Sequence, residues 1–192
     1  MRKDTIVLYH ANCLDGFGGA FAAWKKFNDK AQYIAVRYGE PSPNGLDGKE
    51  VYIIDFSYPK ETLQKIEQGA KKLVVLDHHI GSKKDVETVR EHVFDNDRSG
   101  ASIAWNYFHP QTPFPLLLRH IEDTDLWKRK MDNHEAIEAY LRTVKFNFKQ
   151  WDNLCRQFEE EASYQNIVDK GKIYAIYHNF LLDHLENKAE KA

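Results

Sequence analysis

The sequence predicts an α/β protein: an open, mostly parallel sheet with helices on both faces, followed by a helical C-terminal segment. Three observations carry this. Short apolar β-type runs alternate with segments of helical composition as far as about residue 108. The runs read as strands buried on both faces, as a parallel sheet covered by helices requires. Beyond Pro110 the β-type runs stop and only helical patterns follow.

The first run, TIVLYH (5–10), is a strand, and the small-residue segment GFGGAFAAWKKF (16–27) after its turn has the composition of a helix packed closely on a sheet. YIAVRY (33–38), EVYIIDF (50–56) and KLVVLDHH (72–79) are the next strands, with turns at Asn44-Gly45 and Asp47-Gly48 between the first two of these. PKETLQKIEQGAKK (59–72) is an amphipathic helix. KKDVETVREH (83–92) reads as helical, HVFDND (92–97) as a fifth short strand, and SGASIAWNYF (99–108) as a helix with Ser99 as its N-cap. The helical patterns after Pro110 cover 113–127, 134–144, 148–162 and 164–192. Aromatic residues over 140–180 recur at helical spacing and are expected mainly in the core, while the acids of 159–161 form a solvated face.

At 192 residues the chain holds one well-buried core plus a helical appendage, and its 42% hydrophobic content argues against disorder. A net charge of −2 gives no global basic field, so tight nonspecific binding to long nucleic acid gains no support. Cys13 and Cys155 are too few for a disulfide framework and fit a reducing compartment. No segment has the length of a secretory core or a membrane span, so the chain reads as cytoplasmic, with no membrane partner.

Acids and imidazoles gather at the strand ends. His10 closes the first strand, with Cys13 and Asp15 in the turn after it; Asp55 closes the third, Asp77-His78-His79 the fourth, and Asp95 and Asp97 the fifth. In an open α/β sheet, ligands bind outside these carboxyl ends. Buried charges there require partners or metal. Two divalent ions about 3.5–4 Å apart can hold a bridging hydroxide and clamp a phosphoryl group, which requires one carboxylate to bridge both ions. Asp55, on a strand expected to be central, is the choice for that bridge. Oxygen ligands mixed with imidazole favour Mn²⁺ or Mg²⁺ over a structural zinc site. Asp95 and Asp97 are expected to be structural. Gly16, Gly18 and Gly19, like the segment SGAS (99–102), read either as phosphate cradles or as close helix packing.

The successive segments YHANCLDGFGGAFAAW, YIIDFSY, VVLDHHIGS, FDNDRSGASIAW and HIEDTDLWK resemble the ordered motifs of the DHH phosphoesterase superfamily, over roughly residues 5–128. The resemblance implies metal ligation by His10, Asp15, Asp55 and His78. It also implies an orienting role for Asp77, a substrate-facing role for His79, and a further ligand at Asp123 or, two residues on, Asp125, with Asp123 preferred. It places a phosphoesterase domain at 1–128 and a helical segment, linker-like or packed on that domain, at 129–192. Two departures stand out. The first motif, His10-Ala-Asn-Cys13-Leu-Asp15, is one residue shorter than the usual form and carries Cys13 at the penultimate acid. Either Cys13 ligates as thiolate, or Asn12 compensates through its carbonyl, or that ion is weaker or different. The glycine-rich motif of the usual C-terminal substrate domain, termed DHHA1, is missing.

The expected activity is hydrolysis of a phosphodiester in a short oligonucleotide or small nucleotide. One alternative is a degenerate nucleotide-binding or scaffold module without turnover; another is a pyrophosphatase-like enzyme. Trp127-Lys128-Arg129-Lys130 offers stacking and charge to a nucleotide, or forms an exposed turn. A homodimer is compatible with the sequence but not argued by it.

Overall fold

The computed structural model describes residues 3–189, which divide after Phe114 into two compact units. The first is the α/β unit. Its five strands are β1 (Thr5–His10), β2 (Ala31–Val36), β3 (Glu50–Ile54), β4 (Lys72–Asp77) and β5 (Glu91–Phe94). They form one open sheet in the order β2-β1-β3-β4-β5, and every neighbouring pair is parallel. The chain moves from β1 to β2 on one side and then to β3 on the other, so the connections diverge between β1 and β3. At such a divergence the loops part and leave a crevice over the strand ends.

Both faces of the sheet are covered, which explains the unbroken apolar runs. Alternate residues Ile6, Leu8, Val51, Ile53, Leu73 and Val75 join a core with Leu63 and Ile66 of α2 (Lys60–Gly69) and Val86 of α3 (Lys83–Val86). The intervening residues face α1 (Leu14–Phe27) and α4 (Gly100–Phe108), where Tyr9 meets Phe17 and Tyr52 meets Phe108 with ring centroids 5.9 and 5.2 Å apart.

One expected helix is much shorter than its pattern. The run 83–92 keeps helical geometry only through Val86, and β5 begins at Glu91. Thr88 explains the stop: its hydroxyl donates to the Asp85 carbonyl at 2.6 Å, a local bond that competes with helix continuation.

The second unit contains α5 (Leu116–Asp125), α6 (His134–Leu141), α7 (Phe148–Phe158) and α8 (Glu161–Ala189). The division after Phe114 lies near the point, at residues 108–110, where the β-type runs stop; it groups the segment carrying Asp123 and Asp125 with these helices, whereas the family resemblance placed that segment in a domain ending at residue 128. Trp151 and Phe158 are buried as expected. Tyr174, Tyr177 and Phe180 are not: they stand exposed along α8 together with Ile173 and Ile176. Among the described residues, no helix is long and apolar enough to cross a membrane.

Candidate metal centre

The strand termini over the β1–β3 crevice bring His10, Cys13, Asp15, Asp55, Asp77, His78 and His79 to one edge of the sheet. Asp55 is the hub. It follows the last residue of β3, is 1% exposed, and has a positive φ of 64°, a left-handed conformation rare for a residue with a side chain. Its amide donates to the Leu76 carbonyl at 2.9 Å, which fixes the backbone in that conformation.

The two carboxylate oxygens of Asp55 face different partners. Oδ2 lies 3.3 Å from His10 Nδ1, and Oδ1 lies 3.2 Å from His78 Nε2. Burial by itself pushes the Asp55 carboxyl up, but the contacts from the His10 and His78 rings outweigh it and hold the group at about 2. Two sets of ligand-type atoms gather around this carboxylate, each with its members within 4.8 Å of one another: His10, Cys13 and Asp55 on one side, and Asp55, His78 and His79 on the other. Asp55 belongs to both. Moreover, His10 Nδ1 and Asp55 Oδ2 are buried, and apart from their 3.3 Å contact with each other neither has a hydrogen-bond partner. A divalent cation held by the two would satisfy both atoms, so the residues present fit a metal.

Asp15, in the first turn of α1, is 1% exposed. Its oxygens accept the backbone N–H groups of Gly100 at 2.6 Å and Ala101 at 3.0 Å, the first two residues of α4. A carboxylate at a helix N-terminus is stabilised by those amides and by the helix dipole. Of the two readings open for SGAS, the packing one therefore holds, since the amides that would cradle a phosphate already bind Asp15. Gly100 permits the approach: a Cβ there would lie 2.6 Å from the Asp55 Cβ and 2.9 Å from Asp15 Oδ2. Gly16 plays the same part at α1, where a Cβ would lie 2.3 Å from the His10 carbonyl oxygen. Asp15 Oδ2 stands 3.8 Å from His78 Nε2, so the residue borders the site while it caps the helix.

Asp77 ends β4 fully buried. Its Oδ1 accepts from the His78 amide at 2.9 Å and from His79 Nδ1–H at 2.7 Å, and its Oδ2 accepts the Ser82 hydroxyl. This fixes the orientation of the His79 ring and makes Nε2 the nitrogen turned away from Asp77. Cys13 is the N-cap residue of α1; burial first, then the negative charge of Asp55, pushes its thiol up to about 12. Asp95 accepts the Asp97 amide at 3.0 Å in a turn, and Ser99 caps α4 by accepting from the Ser102 amide at 3.3 Å.

In the helical unit, Asp123 uses both oxygens to accept loop amides, from Lys130 at 3.0 Å and Met131 at 3.2 Å. These bonds pin the turn that follows α5, so of the two acids the sequence offers for the fourth motif, Asp125 becomes the one to test. Trp127 is 76% exposed in that turn, with the Arg129 guanidinium 4.6 Å from its ring centroid.

Two participants were not singled out from sequence. Ser82 reaches Asp77 from the turn after β4. Tyr38, two residues past β2, sets its ring edge-on 4.6 Å from His10 and 5.8 Å from His79. Reading the end of the second strand as the others were read points to Arg37-Tyr38.

No protein-family model matches the sequence. The chain is 30% identical over 200 residues to an uncharacterized protein of Acanthamoeba polyphaga mimivirus, an alignment covering 94% of this chain and 47% of the viral protein. It therefore spans about half the length of that relative. Among solved structures it resembles an uncharacterized protein from Helicobacter pylori G27, with a TM-score of 0.63 at 13% identity, covering 91% of this chain and 63% of the other. That likeness supports the fold.

Proposed function

We propose that the chain is a metal-dependent phosphoesterase of the DHH type, acting in the cytoplasm on a phosphodiester in a short oligonucleotide or small nucleotide. The observation that carries this reading is the placement of Asp55. One buried, strained carboxylate is shared by a His10–Cys13 group and a His78–His79 group, the arrangement that a bridging ligand between two ions requires. His10, Asp55 and His78 would hold the ions, with Cys13 beside the first and Asp15 beside the second; Mn²⁺ or Mg²⁺ suits the mixed oxygen and imidazole donors. Bound there, two such ions would supply a nucleophile at neutral pH and charge to stabilise the phosphoryl group.

The remaining chemistry belongs to the chain. Asp77 holds the His79 ring by Nδ1, so Nε2 can bind a phosphoryl oxygen or pass a proton to the leaving oxygen. The carboxylate steadies the imidazolium formed when His79 is protonated. Cys13 and Cys155 are not joined in a disulfide, which agrees with a reducing compartment.

The test is hydrolysis by metal-stripped protein resupplied with Mn²⁺, Mg²⁺, Co²⁺ or Zn²⁺, against a phosphodiester panel of short RNA and cyclic dinucleotides, with pyrophosphate alongside. Metal-dependent turnover of a phosphodiester is expected, with Asp55→Ala reducing it at least a thousandfold in a folded protein. Turnover of pyrophosphate alone would favour the pyrophosphatase-like alternative. No turnover with any ion would replace the enzyme by a binding module.

A further inference from the structure

Beside His79 the α/β unit contains a cleft of about 730 Å³ that none of the roles above uses. Its walls are the loop after β2, the segment after β3 and the turn after β4, all on the carboxyl edge of the sheet. Rings form much of the lining. Tyr38 is 54% exposed at the mouth, edge-on to Phe56 with centroids 6.4 Å apart, and Phe56 in turn meets Tyr58 at 5.2 Å. The same Tyr38 touches His10 and His79, so the cleft is continuous with the candidate metal centre.

The charge of the lining selects among occupants. Arg37 contributes one cation, but Glu40 and Asp85 contribute two anions, so the ionised walls sum to −1. A second phosphate or a polyphosphate would be repelled there. A flat, neutral ring would gain stacking area on Tyr38 and hydrogen bonds from Ser42 and Thr62 on the cleft walls.

We infer that this cleft is the subsite for the nucleobase attached to the scissile phosphate, with Tyr38 as its stacking platform. The inference rests on the phosphoesterase reading and adds a substrate requirement to it: a nucleoside on one side of the phosphorus, seated toward the β2 edge.

Two esters that release the same p-nitrophenolate isolate the base: thymidine 5′-(p-nitrophenyl) phosphate and methyl p-nitrophenyl phosphate. With Mn²⁺-loaded protein, kcat/KM is expected to favour the nucleoside ester at least tenfold, equivalent to about 1.4 kcal/mol. Tyr38→Ala should collapse that ratio to near one by raising KM for the nucleoside ester, whereas Tyr38→Phe should keep it. Ser42→Trp, which fills the cleft from another wall, should collapse it too and guards against a folding defect in the first variant. Equal rates on the two esters in the native protein, or a ratio that survives both Tyr38→Ala and Ser42→Trp, would overturn the subsite. If neither ester is cleaved, the metal and phosphodiester panel above judges the phosphoesterase reading, and calorimetric titration decides the subsite. AMP binding that ribose 5-phosphate does not share, and that Tyr38→Ala removes, would keep it; equal binding or none would end it.

Discussion

A side chain at a strand end is placed by the backbone before any packing detail is decided, and the candidate site residues of this protein follow that rule. His10, Asp55, Asp77, His78 and His79 were legible in the sequence because the end of a parallel strand fixes which edge of the sheet a residue joins. Cys13 shows what a local reading cannot supply. Its position beside Asp15 was plain, but the state of its thiol depends on burial and on Asp55, which lies 42 residues further along the chain. With the thiol held near 12, metal-free protein should alkylate at Cys13 more than tenfold slower than a free thiol at pH 8, because almost none of it is thiolate. Timed iodoacetamide labelling read by peptide mass spectrometry checks this; labelling at the free-thiol rate would mean that the thiol is not held in its protonated form. The second use of Asp15, as the cap of α4, was illegible for a similar reason: its amide partners lie 85 and 86 residues away.

At the scale of elements, helix termini decide how closely α1 and α4 approach the site. Gly100→Ala places a methyl group against the Asp55 and Asp15 carboxylates, contacts that must open for the variant to fold. A loss of about 1–3 kcal/mol by urea unfolding is expected, together with weaker Mn²⁺ binding by calorimetry. Unchanged Mn²⁺ affinity would separate α4 from the metal centre. In the helical unit, α5 carries a different constraint. His120 is 2% exposed, its Nε2 lies 3.1 Å from the Tyr164 hydroxyl of α8, and its ring packs on Phe158 of α7 with centroids 5.8 Å apart. Burial lowers its pKa to about 4; Asp123 on the same helix works against that shift and His134 of α6 adds to it. The folded state therefore favours the neutral ring, and the unfolded chain takes up a proton first as pH falls. Stability should drop between about pH 6.5 and pH 4, by on the order of 2 kcal/mol. Urea unfolding at pH 7 and pH 5 checks the slope, which His120→Gln should flatten; an equal slope in the variant would assign it elsewhere. The helix was legible from its periodicity but this role was not, since a period marks a buried position without naming its neighbours.

At the scale of the whole chain, the order of strands and helices was readable because each β-type run keeps its apolar character and each helix its period. The change from alternating strands and helices to helices alone, near residues 108–110, was readable too and lies close to the division after Phe114; what the family resemblance misplaced was the segment of Asp123 and Asp125, which groups with the helices. The short reach of α3 and the exposed rings of α8 depended on competition and partners that a periodic pattern does not encode. The topology also makes a global demand on the metal reading. His10, Asp55 and His78 come from the ends of β1, β3 and β4, three strands that lie side by side, so an ion held by all three ties the centre of the sheet together. Binding to the folded form alone must then raise stability, by about 2.7 kcal/mol at a hundredfold excess of free ion over Kd. For a chain of this size that corresponds to a rise of about 5–10 °C in Tm. Thermal unfolding in Mn²⁺ and in a chelator should differ by that amount in the native protein and by almost nothing in Asp55→Ala. An equal rise in both would locate the ion away from the strand ends and remove the basis for a bridging carboxylate.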